Sequence, residues 1–385
     1  MIPRRLIAAI VVILGTPAFA AVERDYVSTR ASHAAIMDLA TGELLYGKNE
    51  NEPVPPASMS KLMTVAVVLD LIKQGRLAPD TMFRVSEKAW RTGGSKMFVL
   101  VDTRIAVIDL LKGIIVQSGN DACIVVAENI AGGEAAFAEL MNARARAWGL
   151  EQSHFANPTG LPHPEHRMSM HDLAKLARHI WMTYPEYRDL FGMAEFTWSD
   201  ITQRNRNPLI GLFEGARGMK TGHTEEAGFG VVGLAERGGE GRIVVVTGLE
   251  SERQRRIVSL ELMETAFDDF DTQTFFERGA IVGAAEVFAG QADRVPLSID
   301  QDVRFTLHRR RLEKAQAEIS YRGPLRAPVK QGELVAILKL TIPGQAPREY
   351  PLYTAQPVRG LTPLQKIRLG LISLFTPPQP SGETP

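Results

Sequence analysis

Strand-forming runs stand on both sides of a block of apolar helices, and this order constrains the fold more than any other feature of the sequence. Residues 33–36 and 44–46 flank a turn-forming segment and predict a hairpin. Residues 229–235 and 242–247 are rich in β-branched side chains, are separated by glycines, and predict a second hairpin. Strands at both ends with helices between them are typical of an α+β domain. The sequence therefore predicts an α+β domain with an antiparallel sheet over residues 21–276.

Three apolar helices are predicted inside this domain. The first opens at residues 57–61, directly after several prolines, and runs through Ile72. Apolar residues recur every three to four positions over residues 105–115 and predict the second helix. The third is predicted over residues 122–130, where two glycines end it. The turn between the second and third helices contains Ser118-Gly119-Asn120.

After the α+β region the pattern changes to short strands broken by glycine and proline. We predict a small all-β domain over residues 277–360. Beyond it, apolar residues recur at helical spacing across residues 361–375, with Lys366 and Arg368 between them. This pattern is typical of an amphipathic helix on an anionic membrane surface, although the same stripe could dock on the protein as a terminal helix. Residues 376–385 are predicted to form a proline-rich tail.

The first twenty residues have the parts of a secretion signal. Two arginines precede an apolar run over residues 6–14, and Ala18-Phe19-Ala20 gives the small-x-small pattern of a cleavage site. We predict a signal peptide over residues 1–20 with cleavage after Ala20. An uncleaved membrane anchor is the alternative, but the apolar run is shorter than the roughly 20 residues that span a bilayer. The protein is therefore expected to be exported.

Charge, cysteine and histidine content exclude several classes of protein. Lysine plus arginine and aspartate plus glutamate each number 44, so no net field favours nucleic acid. Cys123 is the single cysteine, so no internal disulfide forms, and it is either a small buried hydrophobe or a thiol that reagents reach. His163, His166 and His171 lack the spacing of a zinc motif. We therefore expect no metal, no cofactor and no nucleic-acid partner.

Three short motifs, each common by itself, stand in order along the chain: Ser58-Met59-Ser60-Lys61, Ser118-Gly119-Asn120 and Lys220-Thr221-Gly222, the last just before a predicted strand. A serine hydroxyl is a poor nucleophile at neutral pH, and Lys61, one helical turn after Ser58, is on the same helix face as a candidate base. A lysine acts as a base only when neutral, so burial and nearby cations such as Lys220 must lower its pKa. Backbone N–H groups at the helix start would face the negative charge that develops on an attacked carbonyl oxygen.

The strings around these motifs resemble those of a known family. They read Gln-Ser-Gly-Asn-Asp-Ala-Cys at residues 117–123, Asn-Arg-Asn at 205–207 and Gly-Met-Lys-Thr-Gly-His-Thr at 218–224. Such strings are similar to those of the low-molecular-mass penicillin-binding proteins of the D-alanyl-D-alanine carboxypeptidase type. The order of catalytic domain, β-rich domain and terminal amphipathic helix is also similar, so the resemblance covers nearly the whole chain. It implies a β-lactamase/transpeptidase-like catalytic domain followed by a small all-β C-terminal domain.

The resemblance implies a serine carboxypeptidase that removes the terminal D-alanine from peptidoglycan stem peptides ending in D-Ala-D-Ala, with β-lactam antibiotics as covalent inhibitors. It implies Ser58 as the acylated nucleophile, Lys61 as its base and Ser118 as a proton relay to the leaving amine. The backbone N–H groups of Ser58 and His223 would form the oxyanion hole. The residues implied in substrate binding are Asn120, Arg206, Lys220, Thr221, Gly222 and His223. The expected location is the periplasm, with the C-terminal helix attaching the protein peripherally to the inner membrane.

One departure from related enzymes bears on the reaction. The middle motif reads Ser-Gly-Asn and not Ser-Asp-Asn, and no Glu-x-x-Leu-Asn string marks the deacylating glutamate of a class A β-lactamase. Rapid turnover of penicillin is therefore not expected. The residue that activates the deacylating water stays open, with Asp172 and His223 as candidates. Two other functions also stay open: a D,D-endopeptidase that cuts D-alanyl cross-links with the same residues, and a non-catalytic peptidoglycan-binding scaffold.

Overall fold

The computed structural model describes residues 7–13 (backbone only), 27–308, 316–342, 347–363 and 365. The chain divides into two compact units. The larger unit is Glu23–Asp271, and the smaller comprises the residues after it together with an N-terminal strand, β1 (Ile7–Ile13).

The larger unit contains most of the helices. Its strands are β2 (His33–Asp38), β3 (Leu44–Lys48), β4 (Met82–Arg84), β5 (Arg104–Ala106), β6 (Glu195–Trp198), β7 (Ile201–Arg204), β8 (Ala216–Thr224), β9 (Gly228–Arg237) and β10 (Glu240–Leu249). Its α-helices are α1 (Lys61–Lys73), α2 (Glu87–Arg91), α3 (Val107–Val116), α4 (Asn120–Ala131), α5 (Glu134–Ala147), α6 (Met170–Thr183) and α7 (Glu252–Asp268). Two 3-10 helices, Ala57–Ser60 and Pro185–Leu190, precede α1 and follow α6.

Five antiparallel strands form the central sheet of the larger unit, in the order β3-β2-β10-β9-β8. Alternate residues of β10 face opposite sides, as the pleat requires. Ile243 and Val245 join the core formed with the helices α1 and α3 to α6, whereas Val244 and Val246 join the core formed with α7. The sheet is therefore a middle layer between helices, which confirms the α+β prediction, and β8 is one of its edge strands.

The local predictions agree with this architecture where the sequence pattern is strong. Both predicted hairpins are present, as β2–β3 and β9–β10. The predicted first helix begins as the 3-10 helix Ala57–Ser60 and continues as α1. Helices α2, α5, α6 and α7 are not predicted. In α7 the buried side chains, including Val258, Leu262 and Met263, alternate with many charged ones, so its apolar stripe is too narrow to stand out in the sequence.

The smaller unit is all-β, as predicted. Its strands are β11 (Phe270–Phe276), which begins in the larger unit, β12 (Ile281–Phe288), β13 (Arg294–Ile299), β14 (Val303–His308), β15 (Gln316–Arg322), β16 (Leu325–Arg326), β17 (Leu334–Thr341) and β18 (Arg348–Thr354). Seven strands form one sheet in the order β1-β15-β17-β18-β13-β12-β16, and β11 pairs with β14. Their inward side chains, among them Leu297, Phe305 and Leu338, form a separate core.

The terminal segments predicted from the sequence lie mostly outside the described residues. Of the signal peptide predicted over residues 1–20, only 7–13 are described, and this segment pairs antiparallel with β15. Of the predicted amphipathic helix over residues 361–375, only 361–363 and 365 are described, and nothing of the tail over 376–385. Within the described ranges, no helix is long and apolar enough to cross a bilayer.

Candidate active site

Ser58 lies on a tight turn that leads directly into α1. The Ser60 hydroxyl donates to the Ala57 carbonyl oxygen at 2.9 Å and closes this turn. Ala57 itself has φ +48°, a left-handed conformation that is uncommon outside glycine. The next residue after the turn is Lys61, whose Nζ lies 2.7 Å from the Ser58 Oγ as a hydrogen-bond donor. The structure therefore joins the first two sequence-predicted catalytic residues in a direct contact.

Lys61 is fully buried, and this burial changes its acid–base properties. Loss of hydration is the main reason that the pKa of Lys61 falls from its ordinary value of 10.5 to about 8, and repulsion from Arg206 lowers it further. Lys61 also donates a hydrogen bond to the Thr159 carbonyl oxygen. A carbonyl oxygen only accepts, so it engages an N–H of the amine and leaves the lone pair of neutral Lys61 available to the Ser58 hydroxyl.

The Thr159 carbonyl belongs to a loop that the sequence reasoning missed. The Asn157 side-chain oxygen accepts hydrogen bonds from the Thr159 N–H at 3.1 Å, the Thr159 hydroxyl at 2.8 Å and the Gly160 N–H at 2.8 Å. Gly160 has φ +75°, and a Cβ there would come within 2.1 Å of the Ala57 carbonyl oxygen. The loop is thus packed against the Ser58 turn. The Asn-Pro-Thr-Gly string was a signal for an ordered turn, but a backbone carbonyl has no sequence signature.

Ser118 lies in the turn between α3 and α4, as the sequence predicts. It is buried and has φ +60°, a conformation that costs a non-glycine residue on the order of 1–3 kcal/mol and persists only where the surroundings fix it. The packing supplies that constraint, because a Cβ on the adjacent Gly119 would lie 3.0 Å from the Met97 backbone nitrogen. The hydroxyl-bearing turn is therefore held between α4 and the chain segment that contains Met97.

Asn120 and Asp121 anchor this segment, residues 93–99, against the start of α4. The Asn120 side-chain amide donates to the Gly93 carbonyl oxygen at 2.9 Å, and the Asn120 N–H donates to the Ser95 carbonyl oxygen at 2.8 Å. The Asp121 carboxylate accepts the backbone N–H groups of residues 97–99 at 2.8, 2.8 and 3.1 Å. The sequence reasoning singled out Asn120 and missed Asp121. Both residues fix one wall of the site.

The Lys220-Thr221-Gly222 motif stands just before β9, as predicted, but it also lies inside β8, a strand that the sequence did not predict. The residues of β8 include two glycines and two basic side chains, so they do not show the β-branched pattern on which the strand predictions depended. A Cβ on Gly222 would lie 3.0 Å from both the Met59 nitrogen and the Pro56 carbonyl oxygen. Glycine at this position therefore lets the edge strand pass directly beside the Ser58 turn.

Three cationic side chains influence one another in this region. Lys220 is buried, and the pKa of Lys220 lies well below its ordinary value, first because of burial and then because of repulsion from Lys61 and Arg206. Arg206 is exposed, and its Nη1 donates to the Ser95 hydroxyl at 2.9 Å. An anionic group that enters here would relieve this mutual repulsion. The arrangement is suited to a carboxylate.

The remaining predicted binding residues occupy different environments. Thr221 is buried on β8 beside Lys220. His223 is exposed, and its ring stacks on Phe229 with ring centroids 3.8 Å apart. Of the two candidates for activating the deacylating water, Asp172 is buried, and its carboxylate accepts hydrogen bonds from the Gln152 N–H at 2.7 Å and the Ser153 hydroxyl at 2.9 Å. Asp172, in the first turn of α6, therefore supports the loop that contains Gln152 and Ser153.

Cys123 and the histidines have environments that fit structural roles. Cys123 is fully buried on α4, and burial raises the pKa of its thiol to about 12, which favours the small buried hydrophobe over a reactive thiol. His166 is buried, accepts the Ala156 N–H at 3.1 Å through Nδ1, and has a pKa lowered to about 4 by burial. In the part of the chain that the structure describes, no group of three ligating side chains could hold a metal ion.

Fold and site together define a class of protein. A serine hydroxyl with a buried, easily neutralised lysine as its hydrogen-bond partner can form an acyl-enzyme without a histidine base. Lys220 on β8 and the neighbouring Arg206 provide positive charge for an anionic group on the strand that packs beside the Ser58 turn. The class is that of acyl-transferring serine enzymes in which lysine is the base.

Comparison with known proteins identifies the family within this class. The profile of the peptidase S11 family, D-alanyl-D-alanine carboxypeptidase, matches residues 19–251, and that of the penicillin-binding protein 5 C-terminal domain matches residues 270–359. The D-alanyl-D-alanine carboxypeptidase DacD of Escherichia coli (strain K12) is 34% identical over 331 residues, which cover 84% of this chain and 85% of DacD. The chain therefore belongs to the D-alanyl-D-alanine carboxypeptidase family.

Solved structures support the same assignment. Penicillin binding protein 5 from Haemophilus influenzae superposes with a TM-score of 0.77 at 30% identity, covering 88% of this chain and 100% of that one. Penicillin-Binding Protein D2 from Listeria monocytogenes, solved in its ampicillin-bound form, superposes with a TM-score of 0.58 at 28% identity, covering 64% of this chain and 100% of that one. The low-molecular-mass penicillin-binding protein resemblance seen in the sequence is thereby confirmed.

Gly94 allows a test of the wall formed by residues 93–99. Gly94→Ala is expected to slow acylation by penicillin about 10- to 100-fold, because φ is +75° and the new Cβ would lie 2.7 Å from the Asn120 side-chain nitrogen, displacing it. Gly93→Ala is the matched control, since a Cβ there meets no atom within 4 Å. Acylation rates are measured by intact mass. Equal rates for the two variants would contradict a positioning role for this wall.

Proposed function

We propose that this protein is a serine D-alanyl-D-alanine carboxypeptidase that removes the terminal D-alanine from peptidoglycan stem peptides through an acyl-enzyme on Ser58. The observation that carries the proposal is the pairing of the Ser58 hydroxyl with Lys61, a buried lysine whose pKa is about 8. A non-catalytic scaffold has no use for a lysine in this costly state. Membership of the D-alanyl-D-alanine carboxypeptidase family indicates the substrate class, peptides that end in D-Ala-D-Ala. The Ser58 Oγ would also be the atom that β-lactam antibiotics acylate.

We assign acylation to Ser58, Lys61 and Ser118, and the hydrogen bond between Lys61 and Ser58 supports the first two of these roles. Neutral Lys61 accepts the Ser58 hydroxyl proton while Oγ attacks the carbonyl carbon between the last two D-alanines. The developing oxyanion is stabilised by the backbone N–H groups of Ser58 and His223. Ser118 relays a proton to the amine of the departing D-alanine as the peptide bond breaks. The products of this step are free D-alanine and the stem peptide esterified to Ser58.

Binding of the substrate carboxylate is assigned to the cations of the site. Lys220 and Thr221 bind it from β8, and Arg206 contributes an exposed guanidinium that can bind a carboxylate in a bidentate manner. Because β8 is an edge strand, N–H and carbonyl groups on its outer side have no strand partner within the described residues and can pair with the extended peptide. Gly222 leaves the space beside the Ser58 turn through which the strand approaches, and Asn120 binds the substrate amide.

Water then hydrolyses the ester and releases the shortened stem peptide. Asp172 is engaged by the loop before α6, so His223 is the candidate that remains for orienting this water. The exposed His223 ring lies on the same strand as Lys220 and Thr221. We propose that deacylation is slower for penicillin than for the peptide ester, in keeping with the absence of a β-lactamase glutamate motif from the sequence.

Product analysis tests this function. A stem pentapeptide and a cross-linked muropeptide dimer are incubated separately with the mature protein, and free D-alanine and cross-link cleavage are measured. D-alanine released from the pentapeptide is the expected result. Cross-link cleavage without D-alanine release would assign the protein as a D,D-endopeptidase, and the absence of both activities in folded protein that also fails to bind penicillin would favour the scaffold.

We further propose that the protein is exported to the periplasm and attaches peripherally to the inner membrane through residues 361–375. The support comes from the sequence: the signal-peptide pattern of residues 1–20 and the amphipathic spacing with Lys366 and Arg368. A chain ending at Gly360 is expected to lose sedimentation with anionic vesicles, because the apolar stripe is removed. A chain ending after residue 375, which lacks only the proline-rich tail, is the control and should still sediment. Equal sedimentation of both would contradict the anchor.

A further inference from the structure

A surface cavity of about 790 Å³ lies outside the site described above. It is formed where β4, α2, α4 and the turn before β5 meet. We call it the Trp90 groove, and its principal lining residues are Arg84, Trp90, Val101, Asp102, Glu128 and Asn129. Its volume falls in the range of about 300–1,000 Å³ that is usual for sites of small organic ligands.

The most unusual feature of the groove is an exposed indole. Trp90 is 42% exposed, although large aromatic side chains in soluble proteins are mostly buried. Among the described residues, no acceptor is within hydrogen-bond distance of its indole N–H. A solvent-exposed indole offers an apolar ring surface for packing and an N–H group for hydrogen-bond donation. It is suited to a ligand that has both an apolar face and hydrogen-bonding groups.

The charges around the indole indicate which ligands fit. The charged side chains that line the groove are Arg84, Glu87, Asp102 and Glu128, which amount to one cation and three carboxylates. Arg84 is already paired with Asp102, Nη2 to Oδ1, at 2.9 Å. Glu87 is paired with Arg91, Oε1 to Nη2, at 2.7 Å, so among the described residues Glu128 is the lining carboxylate without an ion-pair partner. Its negative charge repels anions such as phosphates and acidic lipids. Carboxylate oxygens instead accept hydrogen bonds from hydroxyl groups, which a neutral sugar supplies in number.

The groove and the active site share one stretch of chain. Trp90 stands three residues before Gly93, a separation of at most about 11 Å, and the Gly93 carbonyl oxygen accepts the Asn120 side-chain amide. On the other side, Val101 follows residues 97–99, whose N–H groups are held by Asp121. The exposed apolar side chains Phe98 and Leu100 lie between these points. A polymer seated on Trp90 is therefore adjacent to the wall that Asn120 and Asp121 fix.

We propose that the Trp90 groove binds the glycan strand of peptidoglycan, an uncharged chain of N-acetylated amino sugars that carries the stem peptide. An axial C–H face of a sugar ring packs on the negative face of the indole, and sugar hydroxyls donate to Glu128. The groove thus selects stems attached to glycan over free peptides. This inference rests on the proposed carboxypeptidase function for its choice of polymer.

The test compares one stem pentapeptide in two forms, free and attached to uncross-linked glycan strands. Trp90→Ala is expected to lower kcat/KM for the glycan-attached form about tenfold, equivalent to about 1.4 kcal/mol, and to leave kcat/KM for the free peptide unchanged. Trp90→Phe, which retains a ring face, should recover most of the loss. Leu212→Ala is the control, because Leu212 is 60% exposed and does not line the groove.

Equal losses on both substrates would mean that Trp90 supports the active-site wall and would overturn the proposal, as would no loss on either. A second measurement separates this inference from the carboxypeptidase function. Calorimetric titration of Ser58→Ala with chitotetraose, a peptide-free oligomer of N-acetylglucosamine, should show binding that Trp90→Ala abolishes. Absence of that binding would refute the proposal that the Trp90 groove binds glycan, whichever substrate the enzyme hydrolyses. Binding of chitotetraose without any release of D-alanine by the wild-type protein would refute only the proposed carboxypeptidase function.

Discussion

Replacing Ser58 by alanine is expected to abolish both the covalent penicillin adduct and the release of D-alanine from a stem pentapeptide. The loss should be about 10⁴- to 10⁶-fold, the scale seen when the nucleophile of a serine enzyme is removed. The reason is that Ser58 Oγ is the atom that Lys61 contacts at 2.7 Å, and alanine leaves that amine with no hydroxyl to activate. Intact mass after incubation with penicillin and a D-alanine assay measure the two effects.

Ser60→Ala is the matched control for this change. Ser60 is a buried serine on the same 3-10 helix, but its hydroxyl donates to the Ala57 carbonyl oxygen at 2.9 Å, whereas the Lys61 amine donates to Ser58 and Thr159. Its removal should cost on the order of 1 kcal/mol of folding free energy and leave the adduct intact. A wild-type level of adduct on Ser58→Ala, or its loss from Ser60→Ala alone, would assign the nucleophile to another residue.

Lys61→Met is expected to lower the rate of acylation about 10³-fold, within the range of about 10²–10⁴ that general-base catalysis contributes. In the wild type, neutral Lys61 is the active form and its pKa is about 8. The acylation rate should therefore rise as pH increases from 6 to about 8 and level off above it. A rate independent of pH between 6 and 9.5 would contradict Lys61 as the base.

Lys61→Met, which is expected to lower activity, is expected to raise the stability of the folded protein. Folding lowers the pKa of Lys61 from 10.5 to about 8, so between these values the unfolded chain binds more protons and stability rises with pH. Below about pH 8 the burial of the charged amine is unfavourable by up to about 3 kcal/mol, and above 10.5 this contribution disappears. Lys61→Met should therefore raise Tm at pH 7 and raise it less at pH 9.5.

Lys73→Met is the control for both experiments. Lys73 is on the same helix, α1, but it is exposed and its Nζ donates to the Thr183 carbonyl oxygen at 3.1 Å. It lies at the opposite end of α1 from Lys61, about 18 Å along the helix axis. Its replacement should change neither the pH profile of acylation nor the difference in Tm between pH 7 and pH 9.5. If Lys61→Met lowers Tm equally at both pH values, the buried lysine is a stabilising contact and its pKa is not depressed by folding.

The sequence predicted those parts of the site that depend on side-chain identity. Ser58 and Lys61 occur in a motif whose spacing follows from helix geometry, so one helical turn between them already implies contact, and Asn120 was recognisable from its place in the turn between two predicted helices. The hairpins of the central sheet were predictable because their β-branched runs are long and bounded by glycines. Such local patterns can be recognised in the sequence without knowledge of the three-dimensional structure.

The parts that were missed depend on backbone groups and on long-range packing. Thr159 contributes a carbonyl oxygen, which every residue possesses, and only the fold brings it to Lys61 across 98 positions of the chain. Asp121 holds three N–H groups of a distant loop, which no local pattern encodes. The motif on β8 was placed outside a strand because its glycine and lysine residues have low strand propensity, which sheet pairing with β9 overrides.

The edge position of β8 also bears on the solubility of the protein. An unpaired strand edge lined by buried residues can recruit a strand from another molecule, and proteins usually prevent this with charges, prolines or bulges along the edge. β8 carries two such devices at its start, the charged side chain of Arg217 and a register shift between Ala216 and Gly218. Further along the strand, the Ser58 turn packs on one face of β8, within 3.0 Å of the position that a Gly222 Cβ would occupy. Side chains stand perpendicular to a sheet, so this contact leaves the edge groups of the strand open. The features that oppose self-association therefore stand at the start of β8, and the stretch beside the Ser58 turn remains open to an extended ligand.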